Sequence, residues 1–81
     1  MKKIISLNEL PLGQKGVIYR IACAEGEKRR MMELGFAADT EVEALLKSPC
    51  GDPVAYLVKG AVMAVRNEDA EKIEIIRNEF I

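Results

Sequence analysis

Histidine and tryptophan are missing from this 81-residue chain, and aromatic side chains are few: Tyr19, Phe36, Tyr56 and Phe80. Without histidine, the usual general base for a serine, cysteine or threonine nucleophile is gone. So is a common ligand for zinc or ferrous iron, and the two cysteines, Cys23 and Cys50, match neither zinc-site nor thioredoxin spacing. Two cysteines are also too few for a disulfide-stapled scaffold, and both are expected as reduced thiols. Asp39, Asp52 and Asp69 stand far apart without the spacing of a calcium loop. Gly13-Gln14-Lys15-Gly16 is too short to cradle a phosphate. The composition therefore points away from an enzyme and from a bound metal or cofactor.

An excess of charge of one sign is lacking too. Twelve basic residues face 13 acidic ones, for a formal net charge of −1. Such a chain exerts no long-range pull on nucleic acid or an anionic membrane. The scarcity of aromatics also leaves little for stacking bases or for lining a proline-peptide groove. No apolar run approaches the roughly 20 residues that span a bilayer. Met1-Lys2-Lys3-Ile4-Ile5 opens like a signal peptide, but Asn8 and Glu9 cut the apolar region short. A soluble, cytoplasmic protein is expected, with no nucleic-acid partner and no membrane insertion.

What is present is aliphatic and periodic. Hydrophobic residues make up 49% of the chain, enough for a single domain over residues 1–81 with a core of Val, Ile, Leu and Met. Ser6-Leu7-Asn8-Glu9-Leu10 has the capping-box pattern, and Pro11 limits it to one helical turn that directs Leu7 and Leu10 inward. Gly13 and Gly16 bracket a turn into a first strand, Val17 to Cys23, where Val17, Tyr19, Ile21 and Cys23 alternate with Ile18, Arg20 and Ala22. Thr40 to Lys47 is a second strand with Val42, Ala44 and Leu46 inward. A third, Val54 to Val58, connects through Lys59-Gly60 to a fourth, Ala61 to Arg66. Asn67 caps a single turn through Glu71, and Lys72 to Arg77 is the fifth strand.

One short helix interrupts the strands, from about Gly26 to Leu34. Glu25 and Glu27 sit at its start, where the helix dipole favours acids, and Gly35 stops it. Met31 with Leu34, and Met32 with Phe36, give it a broad apolar side, with Met31 and Leu34 expected in the core. The order of elements predicts a mainly β SH3-like barrel of about five strands, with the helix between strands one and two and helical turns near 6–10 and 67–71. An OB-fold would carry its helix between strands three and four, where only Lys59-Gly60 stands.

The chain resembles the FeoA family, the small ferrous iron transport protein A. The resemblance rests on Leu7-Asn8-Glu9-Leu10-Pro11-Leu12-Gly13-Gln14-Lys15-Gly16-Val17-Ile18, Arg30-Met31-Met32-Glu33-Leu34-Gly35-Phe36, Ser48-Pro49-Cys50-Gly51-Asp52-Pro53 and Gly60-Ala61-Val62-Met63-Ala64-Val65-Arg66. Asp69-Ala70 followed by a β run completes it. Ala37-Ala38-Asp39-Thr40 departs from the family's common Pro-Gly turn, and Cys50 takes the place of another small residue. The resemblance implies an SH3-like barrel and a non-enzymatic accessory that binds the cytosolic G-protein domain of FeoB, a membrane Fe(II) transporter. The alternatives are a regulatory module related to the C-terminal domain of DtxR-type repressors, or a weak metal-ion binder. For partner contact the expected residues are Lys28, Arg29, Arg30, Met32 and Glu33 on the outer helix face, with Cys50, Gly51 and Asp52 in a nearby loop. Edge strands or an exposed Met also allow weak self-association.

Overall fold

A computed structural model describes residues 2–78. Six strands alternate with short helical pieces in the order β1 (Lys2–Ser6), a 3-10 turn (Leu7–Glu9), β2 (Lys15–Ile21), α1 (Glu25–Glu33), β3 (Glu41–Lys47), β4 (Val54–Val58), β5 (Ala61–Val65), α2 (Asn67–Ala70) and β6 (Ile73–Asn78). All pairings are antiparallel, in the sheet order β1-β6-β2-β3-β4-β5. This is the expected SH3-like barrel, with one more strand than the five anticipated.

The added strand is β1, whose Lys2-Lys3-Ile4-Ile5-Ser6 has no clean alternation. It is a strand because β6 supplies its hydrogen-bond partners, from Lys2 opposite Asn78 to Ser6 opposite Glu74. Ile5 packs against the core while Ile4 stays exposed. After β1, the Glu9 carboxylate accepts the Ser6 backbone N–H at 3.2 Å, and Leu7 and Leu10 are both buried, as the capping pattern predicts.

Two bulges re-phase the sheet. In β2 the register shifts between Ile18 and Arg20, so that Ile18 and Ile21, three apart, both enter the core. Val17 and Tyr19, predicted on the face of Ile21, lie outside. Cys23, predicted in this strand, follows it and is half-buried. In β3 the shift between Ala44 and Leu46 keeps Val42 and Ala44 inside but turns Leu46 outward, 60% exposed, against the inward direction expected for it. Gly16 lies within β2, not in the turn before it. An added Cβ there would meet Ile75 Cδ1 at 2.8 Å and the Ile76 carbonyl oxygen at 3.2 Å.

The turns follow the residues that make them. Asp39, in the expected turn, has φ 67°, and Lys59 and Gly60 take φ values of 51° and 79°, the left-handed pair that closes a two-residue hairpin. α2 starts at Asn67 with Arg66 as its N-cap, one residue earlier than expected, since the sequence pattern makes Asn67 the cap itself. The core is aliphatic apart from Phe36 and Tyr56, its largest fully buried side chains. Tyr56 donates its buried hydroxyl to the Leu7 carbonyl at 3.4 Å, and burial pushes its pKa above the ordinary 10.0.

Candidate partner-binding site

α1 leaves the sheet after Ala24 and returns through Gly35. At its end the Gly35 N–H donates to the Met32 carbonyl (3.0 Å) and the Phe36 N–H to the Met31 carbonyl (3.0 Å). These are the two bonds of a Schellman cap, and Gly35 holds the φ of 112° that the cap needs. The cap brings Met31 and Phe36 together in the core, 4% and 2% exposed. Leu34, expected in the core with Met31, stands outside at 51% because Phe36 takes the inward position that the cap creates. Met32 is also exposed.

The outward side of α1 forms a shallow groove of about 480 Å³ lined by Glu25, Lys28, Arg29, Met32 and Glu33. Their spacing of three, four, seven and eight residues is one helical stripe. The structure thus gathers Lys28, Arg29, Met32 and Glu33 as expected, and adds Glu25, one turn before Lys28, which that spacing could have revealed. Arg30 is exposed on the flank of this stripe, beside Glu27. Glu27 accepts a 2.9 Å hydrogen bond from Lys72 Nζ, which ties the start of α1 to the turn before β6. That bond and the lysine charge lower the Glu27 pKa, and the carboxylate in turn raises that of Lys72.

Cys50, Gly51 and Asp52 lie elsewhere. Their loop joins β3 to β4 at Val54, the opposite end of β4 from Val58, against which Gly35 packs. Ser48 Oγ donates to the Pro53 carbonyl at 2.8 Å, closing the loop on itself. Asp52 Oδ1 accepts the Asn67 N–H at 3.0 Å, and the Asn67 side-chain amide reaches the Gly51 carbonyl at 3.5 Å. Asp52 therefore satisfies the first amide of α2, and no hydrogen bond or ion pair joins the loop to α1 among the described residues. Cys50 is exposed, Cys23 half-buried, and both are free thiols. Among the described residues no group of three or more Cys, Asp or Glu side chains is placed to hold a metal ion. No helix there is long and apolar enough to cross a membrane.

Chemically, the α1 stripe offers two cations, two carboxylates and a thioether on one rigid face, a surface suited to matching another protein's charges. Comparison with known proteins agrees with the architecture. A manganese-dependent transcriptional repressor shares the fold with a TM-score of 0.81, over 94% of this chain and 42% of its own, at 16% identity, a likeness of fold alone. The FeoA of Stenotrophomonas maltophilia, solved with zinc and described as an SH3-domain protein, is 29% identical over 88% of each chain, with a TM-score of 0.76. An Fe(2+) transport protein A/Fe(2+) transporter FeoB fusion protein of Porphyromonas gingivalis is 33% identical over 69 residues, 85% of this chain, which spans 8% of the fusion's length. The FeoA domain model itself matches residues 5–77, from β1 through β6, and the chain belongs to the FeoA domain family.

Proposed function

We propose that this chain is a non-enzymatic, cytoplasmic accessory of bacterial ferrous iron uptake that works by contact with the cytosolic G-protein region of an FeoB-type Fe(II) transporter. The observation that carries this reading is the P. gingivalis relative, in which a FeoA segment and FeoB are one polypeptide. Covalent fusion holds two modules at high effective concentration, an arrangement that favours modules working on each other. Fe(II) is the transporter's cargo in this reading, and the accessory need not hold it.

The α1 stripe is the proposed contact: Lys28 and Arg29 for acidic groups, Glu25 and Glu33 for basic ones, and Met32 at the centre as the apolar anchor. Arg30 extends the basic flank. Cys50, Gly51 and Asp52 form a separate proposed contact, held rigid by α2. A nucleic-acid module has no comparable support, since the repressor likeness is one of fold and the net charge is −1.

Reversing charge with Arg29→Glu and Arg30→Glu should weaken co-elution with the transporter's cytosolic region by about tenfold, the scale of two partly exposed charge contacts. Both side chains are exposed, so the circular dichroism spectrum should not change. Undiminished co-elution with an intact spectrum removes this face as the contact.

A further inference from the structure

The sheet ends in two edge strands built on different rules. β1 carries Lys2 and Lys3, charges that discourage another strand from pairing there. β5 is Ala61-Val62-Met63-Ala64-Val65, without charge, proline or glycine, and its register with β4 runs without a bulge. Because Lys59-Gly60 closes a two-residue hairpin, Val58 and Ala61 form its first hydrogen-bonded pair. By alternation, Met63 and Val65 also bond toward β4, and the N–H and C=O groups of Val62 and Ala64 point away from the sheet. Neither residue has a backbone partner on that side among the described residues. Val62 is 66% exposed, and Ala64 is exposed. The adjoining outer face is apolar as well, since Val62 pairs with Leu57, and Ala64 with Ala55, which pairs with the exposed Leu46.

We propose that β5 is a self-association edge, onto which a second copy of this chain adds its own β5 in antiparallel pairing about a two-fold axis at Met63. In that register Val62 of each copy faces Ala64 of the other, and each such pair exchanges two hydrogen bonds, satisfying every outward group of both residues. Met63 meets its own copy at the axis. At the flank of the pairing, Arg66 falls opposite the neutral Gly60 of the other copy, so the register brings no like charges together along β5. A strand of five residues is a small contact, below the area of permanent dimers, so the association is a concentration-dependent equilibrium. The proposal does not depend on the role of α1.

Sedimentation equilibrium of the full chain, extended to about 1 mM, should show a reversible monomer–dimer equilibrium. The double variant Val62→Lys, Ala64→Lys sets lysines opposite lysines and should weaken association about tenfold or more, with an unchanged circular dichroism spectrum. A wild-type chain that stays monomeric, or a folded variant that associates as strongly, overturns the proposal. Amide exchange on the wild type decides the matter independently of whether the variant folds. The Val62 and Ala64 amides should slow as concentration rises, and exchange at these two that ignores concentration overturns the proposal equally.

Discussion

Gly16 shows how much a missing side chain can do. It is buried in β2 with Ile75 packed over it and a ladder carbonyl of β6 beside it. Ile75 Cδ1 could turn aside, but the Ile76 carbonyl is fixed by the sheet. Gly16→Ala should therefore lower stability by about 1–3 kcal/mol, read from the urea midpoint at unchanged m-value. Gly26 is the opposite case. It sits in the first turn of α1, and a Cβ there meets nothing within 4 Å. Gly26→Ala should leave stability unchanged or raise it by up to about 1 kcal/mol, since alanine loses less backbone entropy on entering a helix. A glycine has no hydropathy signal, so sequence patterning treats both alike, and the first as a turn. What separates them is β6, packed against Gly16, and the open space beside Gly26.

At the level of elements, α1 is secured at its end by the Met31–Phe36 cap and near its start by the Glu27–Lys72 pair. Glu27 has its pKa lowered from 4.5, so the tie is fully present above that value and is lost as pH falls through the depressed one. Lys72 has its pKa raised from 10.5, so the tie is also lost as pH rises through that raised value. At neutral pH, Glu27→Gln should lower the exchange protection of the Lys28 amide, which donates to the Ala24 carbonyl. That difference from wild type should shrink as pH drops well under 4.5, where the wild-type carboxylate is itself protonated. A difference that persists in acid would show that the charge is not what holds the start of α1. The helix, its glycine stop and its charged stripe were legible from local spacing. That Leu34 points outward was not, because the cap lets a residue beyond the helix take its place. Nor could spacing show that the Cys50–Asp52 loop serves α2, since the contact joins segments 15 residues apart.

For the whole molecule, β1 is the strand that local pattern cannot find and the sheet requires. Removing residues 2–6 would leave β6 as an edge and strip Ile5 from the core. The loss should lower the midpoint of thermal unfolding by about 5–15 °C, measured by circular dichroism, since each kcal/mol moves a domain of this size by several degrees. An unchanged midpoint would mean that the strand contributes little beyond covering an edge.

Periods of two and of 3.6 residues, with glycines and prolines between them, were enough to place β2 through β6, α1 and the hairpin at Lys59-Gly60. Those signals are local, and a chain reads them out one turn or one strand at a time. The absence of histidine likewise removed the usual general base and a common metal ligand before any fold was known. Pairing across the sheet set the rest. It made a strand of Lys2–Ser6, and through two bulges it turned Tyr19 and Leu46 outward. It also left β5, an entirely apolar strand, at an open edge. Which face of a strand is buried depends on register, and register is settled only when distant segments meet.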